Sequence, residues 1–297
     1  MKNINEQLIS SLKSENIRKR PGMYIGCVDE AGVYELISGL AEDIISGCNG
    51  ADISIKINLI RKNTLTFIFN SFLNNSFYLE IVKALSAFCE INSGNKYYIC
   101  NKGSLISETS NADNQKNLFK IIFKPDYEIF SCKNLNYYMI FKRMKELAQL
   151  NENVKFHLAD NDNKNIFQFH DGLSEMLNEN LYKIGNRKPL NICFIKDDIE
   201  VSVSMVYGYA INVTLSYVDN LRTICGGTHV QGLYDGIFYA FKKYIKKYID
   251  KNIKITKNDT INGLSFVIRV RMEEPEFTGA TKWKLANNTI TGDHHLK

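Results

Sequence analysis

The chain has 297 residues, 44% of them hydrophobic, and a formal net charge of +5. That suits one large domain or two moderate ones with a proper buried core, and the mild positive charge permits a nucleic-acid partner without demanding one. The seven cysteines, at 27, 48, 89, 100, 132, 193 and 225, are odd in number and form no C-x-x-C, which argues against a disulfide framework or a zinc ribbon and for reduced thiols in a cytoplasmic protein.

The opening "MKNINEQLISSLKSENIRKRPG" lacks the apolar core of a signal peptide. No apolar run approaches the ~18 residues of a membrane span, so no membrane partner is expected. Only four prolines occur, and neither a low-complexity tract nor an internal repeat marks a boundary.

In chain order, "GVYELISGLAEDIISG" (32–47) spaces Val33, Leu36, Ile37, Leu40, Ile44 and Ile45 as one helical face, leaving Glu35, Ser38, Gly39, Glu42 and Asp43 on the polar side. "DISIKINLI" (52–60) and "TLTFIFNSF" (64–72) read as a hairpin around Arg61–Asn63. A helix is predicted over 78–88, strands over 96–100 and 118–125, a helix over 136–151, and strands over 154–160 and 165–172. This is a mixed α/β domain ending near residue 170.

The stretch 190–221 supplies three or four strands. The loop "RTICGGTHVQG" (222–232) follows, then a helix over 232–252 with Ile237, Phe241, Tyr244, Ile245 and Tyr248 inward and Lys242, Lys243, Lys246 and Lys247 outward. A last strand covers 264–272. Gly226-Gly227 reads as a tight strand-to-helix turn, with Thr228 placed to cap the helix. His229 would be a candidate base, yet no Asp or Glu is adjacent to orient it. Asp171, Asp197 and Asp198 neighbour no histidine at ligand spacing, so no metal site is expected. Neither G-x-G nor G-K-[ST] occurs, so the usual Gly-rich phosphate cradles are absent. The His294-His295 pair lies in a polar tail.

Several segments together resemble the ATPase half of bacterial type IIA topoisomerases, meaning gyrase B and its topoisomerase IV counterpart. They are "IRKRPGMYIG" (17–26), "FKPDYEIF" (123–130), "FKRMKELAQLN" (141–151), "FQFHDGL" (167–173), "SYVDNLRTICGGTHVQGLYDGI" (216–237) and "NDTINGLSFVIRVRMEEPEFTGATKWKLAN" (258–287). The resemblance implies an α/β (α+β) fold: a Bergerat-type (GHKL) ATPase-like sandwich over 1–170, then a transducer-like domain over 171–297 with a left-handed βαβ crossover. It places Gly226, Gly227, Thr228 and His229 in a transducer turn rather than a catalytic centre.

The same resemblance implies a glutamate that activates water and, four residues later, an asparagine that holds Mg²⁺, both on the first core helix. Anchored on Leu36, the helix offers Gly39 and Asp43 at those positions; anchored on Gly47, it offers Glu35 and Gly39. The adenine-reading Asp-Gly-x-Gly segment has no counterpart in "FIFNSFLNN", no glycine-rich lid follows, and a threonine position carries Phe119. Lys282 in "GATKWK" matches the lysine that reaches ATP, with Ala280 in place of its glutamine companion. The chain stops soon after that loop, without the DNA-cleaving region.

The expectation is a degenerate, truncated paralogue: a non-catalytic interaction or regulatory module, with no cofactor, partnered by itself, a gyrase or topoisomerase IV subunit, or DNA. Three alternatives remain. An ATP-binding clamp would use Glu35 or Glu42 with Asp43, Lys282 and Mg²⁺ in a rebuilt pocket. A sequence-neutral DNA-binding module would use Lys242, Lys243, Lys246 and Lys247, continued by Lys251 and Lys254, with Arg222. A decayed copy without function is the remaining reading.

Overall fold

Two separate sheets, one of eight strands and one of five, organise the computed structural model. It describes residues 13–288 apart from 49–50, 61–63, 71–72, 74–75, 94–95, 111–117, 133–134, 182–187, 209–211 and 280. The Arg61–Asn63 turn, Ala280 and the His294-His295 pair lie outside the described residues. The chain divides into compact units Met1–His170 and Asp171–Lys297.

In the first unit, residues 13–19 are helical (α1), followed by α2 (Gly22–Ile25) and α3 (Glu30–Ser46). Strands β1 (Ile53–Ile60) and β2 (Thr64–Phe69) come next, then α4 (Phe77–Leu85), β3 (Ser86–Asn92), β4 (Lys96–Asn101), β5 (Ser104–Ser110), β6 (Phe119–Pro125), α5 (Tyr137–Leu150), β7 (Val154–Ala159) and β8 (Lys164–Phe167). The sheet order is β5-β4-β3-β6-β2-β1-β7-β8, with β1 and β7 parallel. Ile55, Ile57, Phe67, Phe123 and Phe156 turn one sheet face onto Leu36, Leu40 and Ile44 of α3, and all of them are buried. Caps fix where the helices start: Asp29 accepts from Ala31 N before α3, Ser76 from Leu79 N before α4, and Asn136 from Tyr138 N before α5. α3 packs against both α4 and α5.

Three local expectations are corrected here. The helix expected over 78–88 ends at Leu85, and β3 begins at Ser86. Pairing of β3 with β4 and β6 overrides the helical spacing, and it seats Ser86, Cys89 and Ile91 in the core. β5 has no counterpart among the expected strands, because six of its seven residues are exposed and leave no apolar alternation to read. The strand expected over 165–172 spans Lys164–Phe167, and Gly172 starts a helix instead.

That helix, α6 (Gly172–Asn180), opens the second unit. β9 (Leu190–Lys196), β10 (Ile199–Tyr207), β11 (Thr214–Val218), β12 (Leu221–Arg222), α7 (Thr228–Tyr248), α8 (Lys257–Ile261) and β13 (Leu264–Arg271) complete it. The sheet order is β12-β11-β13-β10-β9. β11 and β13 are parallel and joined through α7, a βαβ crossover. Val201, Val203, Phe266, Ile268 and Val270 form the core with Val230 and Ile237 of α7. The inward face predicted for α7 is corrected: Ile237 is buried, whereas Phe241, Tyr244 and Tyr248 are exposed. Phe241 meets the Tyr207 ring of β10 edge-on, with centroids 6.0 Å apart, and Tyr244 and Tyr248 lie against each other on the surface with centroids 5.0 Å apart.

Candidate functional site

The polar side of α3 carries every acidic candidate in the first unit, and each has a partner. Asp43 accepts the Ser76 hydroxyl at 2.5 Å and the Tyr78 backbone N–H at 2.9 Å. Ser76 in turn accepts from Leu79 N. One carboxylate and one hydroxyl thus satisfy two of the free donors at the start of α4, where the helix dipole favours negative charge. Glu35 is exposed and accepts the Tyr78 hydroxyl. Burial, then the hydrogen bond to Glu35, raise the Tyr78 phenol well above its ordinary value, so it stays a donor. The Tyr78 ring lies on Gly39, where an added methyl would meet three ring carbons well inside contact distance.

Glu42 sits one turn along the helix in a cluster with α5. It accepts Arg143 Nη2 at 2.9 Å and the Ser38 hydroxyl at 2.8 Å, while Arg143 Nε donates to Ser38 and Nη1 to Glu146. Burial pushes the Glu42 carboxyl up, and Arg143 acts against that shift. Spacing in the sequence does not single out Tyr78, Ser76 and Arg143, because they lie tens of residues from the acids they hold. Phe119, at the expected threonine position, stacks on Phe69 at 5.5 Å and so belongs to the packing of the sheet. In "FIFNSF", Asn70 accepts from Ser54 N at 2.7 Å and ties β2 to β1.

Two of the matched segments hold each other. Arg18 of "IRKRPGMYIG" donates to Asp126 of "FKPDYEIF" at 2.6 Å and to Ala84 O at 2.8 Å. Burial opposes ionisation of Asp126, but Arg18 and the Glu128 backbone N–H together outweigh it and hold the carboxyl below its ordinary value.

In the second unit, the "GGTH" turn and the Lys282 loop form one structure. Gly227 bridges Leu285, Thr228 N donates to Leu285 O, Leu285 N to Gly226 O, and Cys225 N to Trp283 O. Phe277 bridges Leu285 and Thr278 N donates to Lys284 O, closing a hairpin with exposed Lys282 at its tip, φ 55°. Gly227 has φ 144°, and a methyl there would lie 2.5 Å from Leu285 N and O. The cap expected from Thr228 is corrected: Gly227 occupies the N-cap without a side-chain bond, and the buried Thr228 hydroxyl has no partner among the described residues. His229 is buried with Nε2 3.3 Å from the Thr223 hydroxyl, and burial brings it down to about 4.

Lys242, Lys243, Lys246 and Lys247 are exposed on α7, as are Lys251 and Lys254 beyond it and Arg222 on β12. Lys247 lies over the Tyr248 ring at 4.8 Å. Asp171 accepts from Asn191, and Asp197 and Asp198 form the β9–β10 turn with positive φ. Among the described residues no group of three or more His, Cys, Asp or Glu is placed to hold a metal ion, and no helix is long and apolar enough to cross a membrane.

The sequence profile of the DNA gyrase B family matches residues 151–293. The DNA gyrase B protein of Clostridium acetobutylicum is 29% identical over 94% of this chain and 52% of its own length. That of Borreliella burgdorferi is 29% identical over 96% of this chain and 53% of its own. The chain thus spans about half the length of the curated relatives it matches. Among solved structures, the 43K ATPase domain of Thermus thermophilus gyrase B superposes with a TM-score of 0.82 at 23% identity, covering 94% of this chain and 85% of that one. The topoisomerase IV ATP-binding domain of Francisella tularensis gives 0.79 at 25% identity, covering 93% and 87%. The chain thus resembles DNA gyrase B in sequence, and its two-sheet fold is similar to that of the gyrase B and topoisomerase IV ATPase domains.

Proposed function

We propose that this chain is a gyrase B-like ATPase–transducer module whose nucleotide site is closed by its own side chains, and that it acts without catalysis as an interaction or regulatory module of a type II topoisomerase. One observation carries the reading: the Tyr78 ring seated on Gly39. In either register of the resemblance, Gly39 stands at one of the two positions that would carry the water-activating and metal-holding side chains. The other position is Asp43 or Glu35, bound to the start of α4 or to the Tyr78 hydroxyl. A general base must reach the attacking water, and Mg²⁺ needs free protein oxygens at fixed places. The side chains here do not fit ATP and Mg²⁺, so no hydrolytic step is assigned to them. Lys282 alone cannot compensate, because an exposed cation is screened by water and salt.

The test is titration with a non-hydrolysable ATP analogue, together with turnover measured with and without DNA. The expected result is no affinity tighter than about millimolar, roughly −4 kcal/mol, and no turnover above background. Micromolar binding, or turnover abolished by Glu35→Gln, would establish the rebuilt-clamp reading instead.

A second reading rests on α7, whose exposed lysines alternate with exposed tyrosines. Such a surface meets phosphates without reading bases. Removing two contacts by Lys243→Glu with Lys247→Glu is expected to flatten the slope of log K against log salt by about 1.8, at about 0.9 each. An unchanged slope would remove α7 from any DNA contact.

A further inference from the structure

β9 is the last strand of the five-stranded sheet, paired to β10 on one side and to no strand on the other among the described residues. All seven of its residues are exposed, with Ile195 at 72%, Leu190 at 58%, Phe194 at 50% and Ile192 at 39%. Soluble proteins blunt sheet edges with internal charge, proline or bulges, because an open row of N–H and C=O groups templates pairing. Here the register with β10 is unbroken from Leu190 to Lys196, the proline (Pro189) lies before the strand, and the one charge is its terminal Lys196.

We infer that β9 pairs antiparallel with β9 of a second copy of this chain, about a two-fold axis through Cys193. The strand is self-complementary in that register. Cys193 meets Cys193, Ile192 meets Phe194 twice, Asn191 meets Ile195, and Leu190 meets Lys196. Beyond the strand ends, Lys188 comes alongside Asp198 of the second copy, at both ends by symmetry. No like charges oppose one another.

The apolar pairs also continue an existing core. Leu190, Ile192 and Phe194 stand opposite Met205, Val203 and Val201 of β10, on the face packed against Phe266, Ile268 and α7. A second β9 would cover its margin with two Ile192–Phe194 contacts. On the other face Asn191 is held by Ser174 and Asp171, which fixes the strand ahead of pairing. An isologous contact of this kind closes as a dimer. The inference is independent of the nucleotide reading, since β9 lies in the other unit.

The test is sedimentation equilibrium of the purified chain and of Ile192→Lys with Phe194→Lys, which sets lysines against lysines across the axis. The expected result is a reversible dimer for the unaltered strand, weakened roughly tenfold or more in the variant, with the same circular dichroism. The second measurement uses Cys225→Ser, so that Cys193 is the remaining fully exposed thiol. Diamide accepts two hydrogens as two Cys193 thiols join in one disulfide, and a covalent dimer absent from Cys193→Ser is expected. A monomer at every concentration, a dimer indifferent to the lysines, or a dimer that Cys193 does not cross-link would each overturn the inference.

Discussion

The ring of Tyr78 rests on the backbone of Gly39, with no room between them for a single methyl group. In an unhindered helix, Gly→Ala stabilises by up to about 1 kcal/mol. Here the sign is expected to reverse: Gly39→Ala should cost roughly 1–3 kcal/mol through overpacking. Adding Tyr78→Ala should remove that penalty. Urea unfolding of the two single variants and the double variant reads the coupling, and additive effects would show that the ring does not sit there.

The Arg143 cluster makes a second prediction. Arg143→Met leaves the partly buried Glu42 without its cation, an arrangement expected to cost roughly 1–3 kcal/mol. Glu42→Gln in the same chain should recover part of the loss, because the amide keeps the Ser38 contact without needing a charge. Thermal melting distinguishes this from simple loss of packing, which the glutamine would not repair.

Gly227→Ala should release the Lys282 hairpin, since the methyl strikes the Leu285 backbone and φ 144° disfavours any side chain. Trypsin is expected to cut at Lys282 or Lys284 several times faster in the variant, while the protection of the first unit stays unchanged. Equal cutting rates would mean that the hairpin is held by something other than the "GGTH" turn.

His229 gives the second unit a pH dependence whose sign is fixed. Burial brings its imidazole down to about 4, so the fold holds the neutral ring. Its contribution is complete above the ordinary value near 6.5 and is lost as the pH falls toward 4. The loss at pH 4 is at most roughly 3 kcal/mol, at 1.36 kcal/mol per unit. Because carboxylates titrate nearby in pH, the quantity to measure is the melting temperature of wild type minus that of His229→Asn from pH 7 to 4. A difference that stays constant would remove His229 as the cause.

Local periodicity made most of the fold legible. The stripe of Leu36, Leu40 and Ile44 marked α3, and alternation at Ile53, Ile55 and Ile57 marked β1, because each buries one face. β5 and β9 illustrate the opposite: nearly all of their residues are exposed, so burial leaves no alternation to detect. β9 was legible by its β-rich composition alone, and β5 was not. The candidate site was legible only in part. Glu35, Gly39, Glu42 and Asp43 stood out as one polar helix face. Their partners Ser76, Tyr78 and Arg143 did not, since three-dimensional pairing over long separations leaves no spacing signature in the chain. For α7, the spacing identified the helix but not where its packing surface ends.

The place of β13 in its sheet has a consequence for how the second unit comes into being. β13 lies between β11 and β10, and both must wait for it. During synthesis these strands leave the ribosome well before residues 264–271, and α7 is made in the interval. Until β13 arrives, β10 and β11 each present an open edge, and Val201, Val203 and Val218 have no central strand to pack beside. Closure of such distant pairings is intrinsically slow. A pause in translation between α7 and β13 would therefore lengthen the aggregation-prone stage of this protein's life, and a faster passage would shorten it.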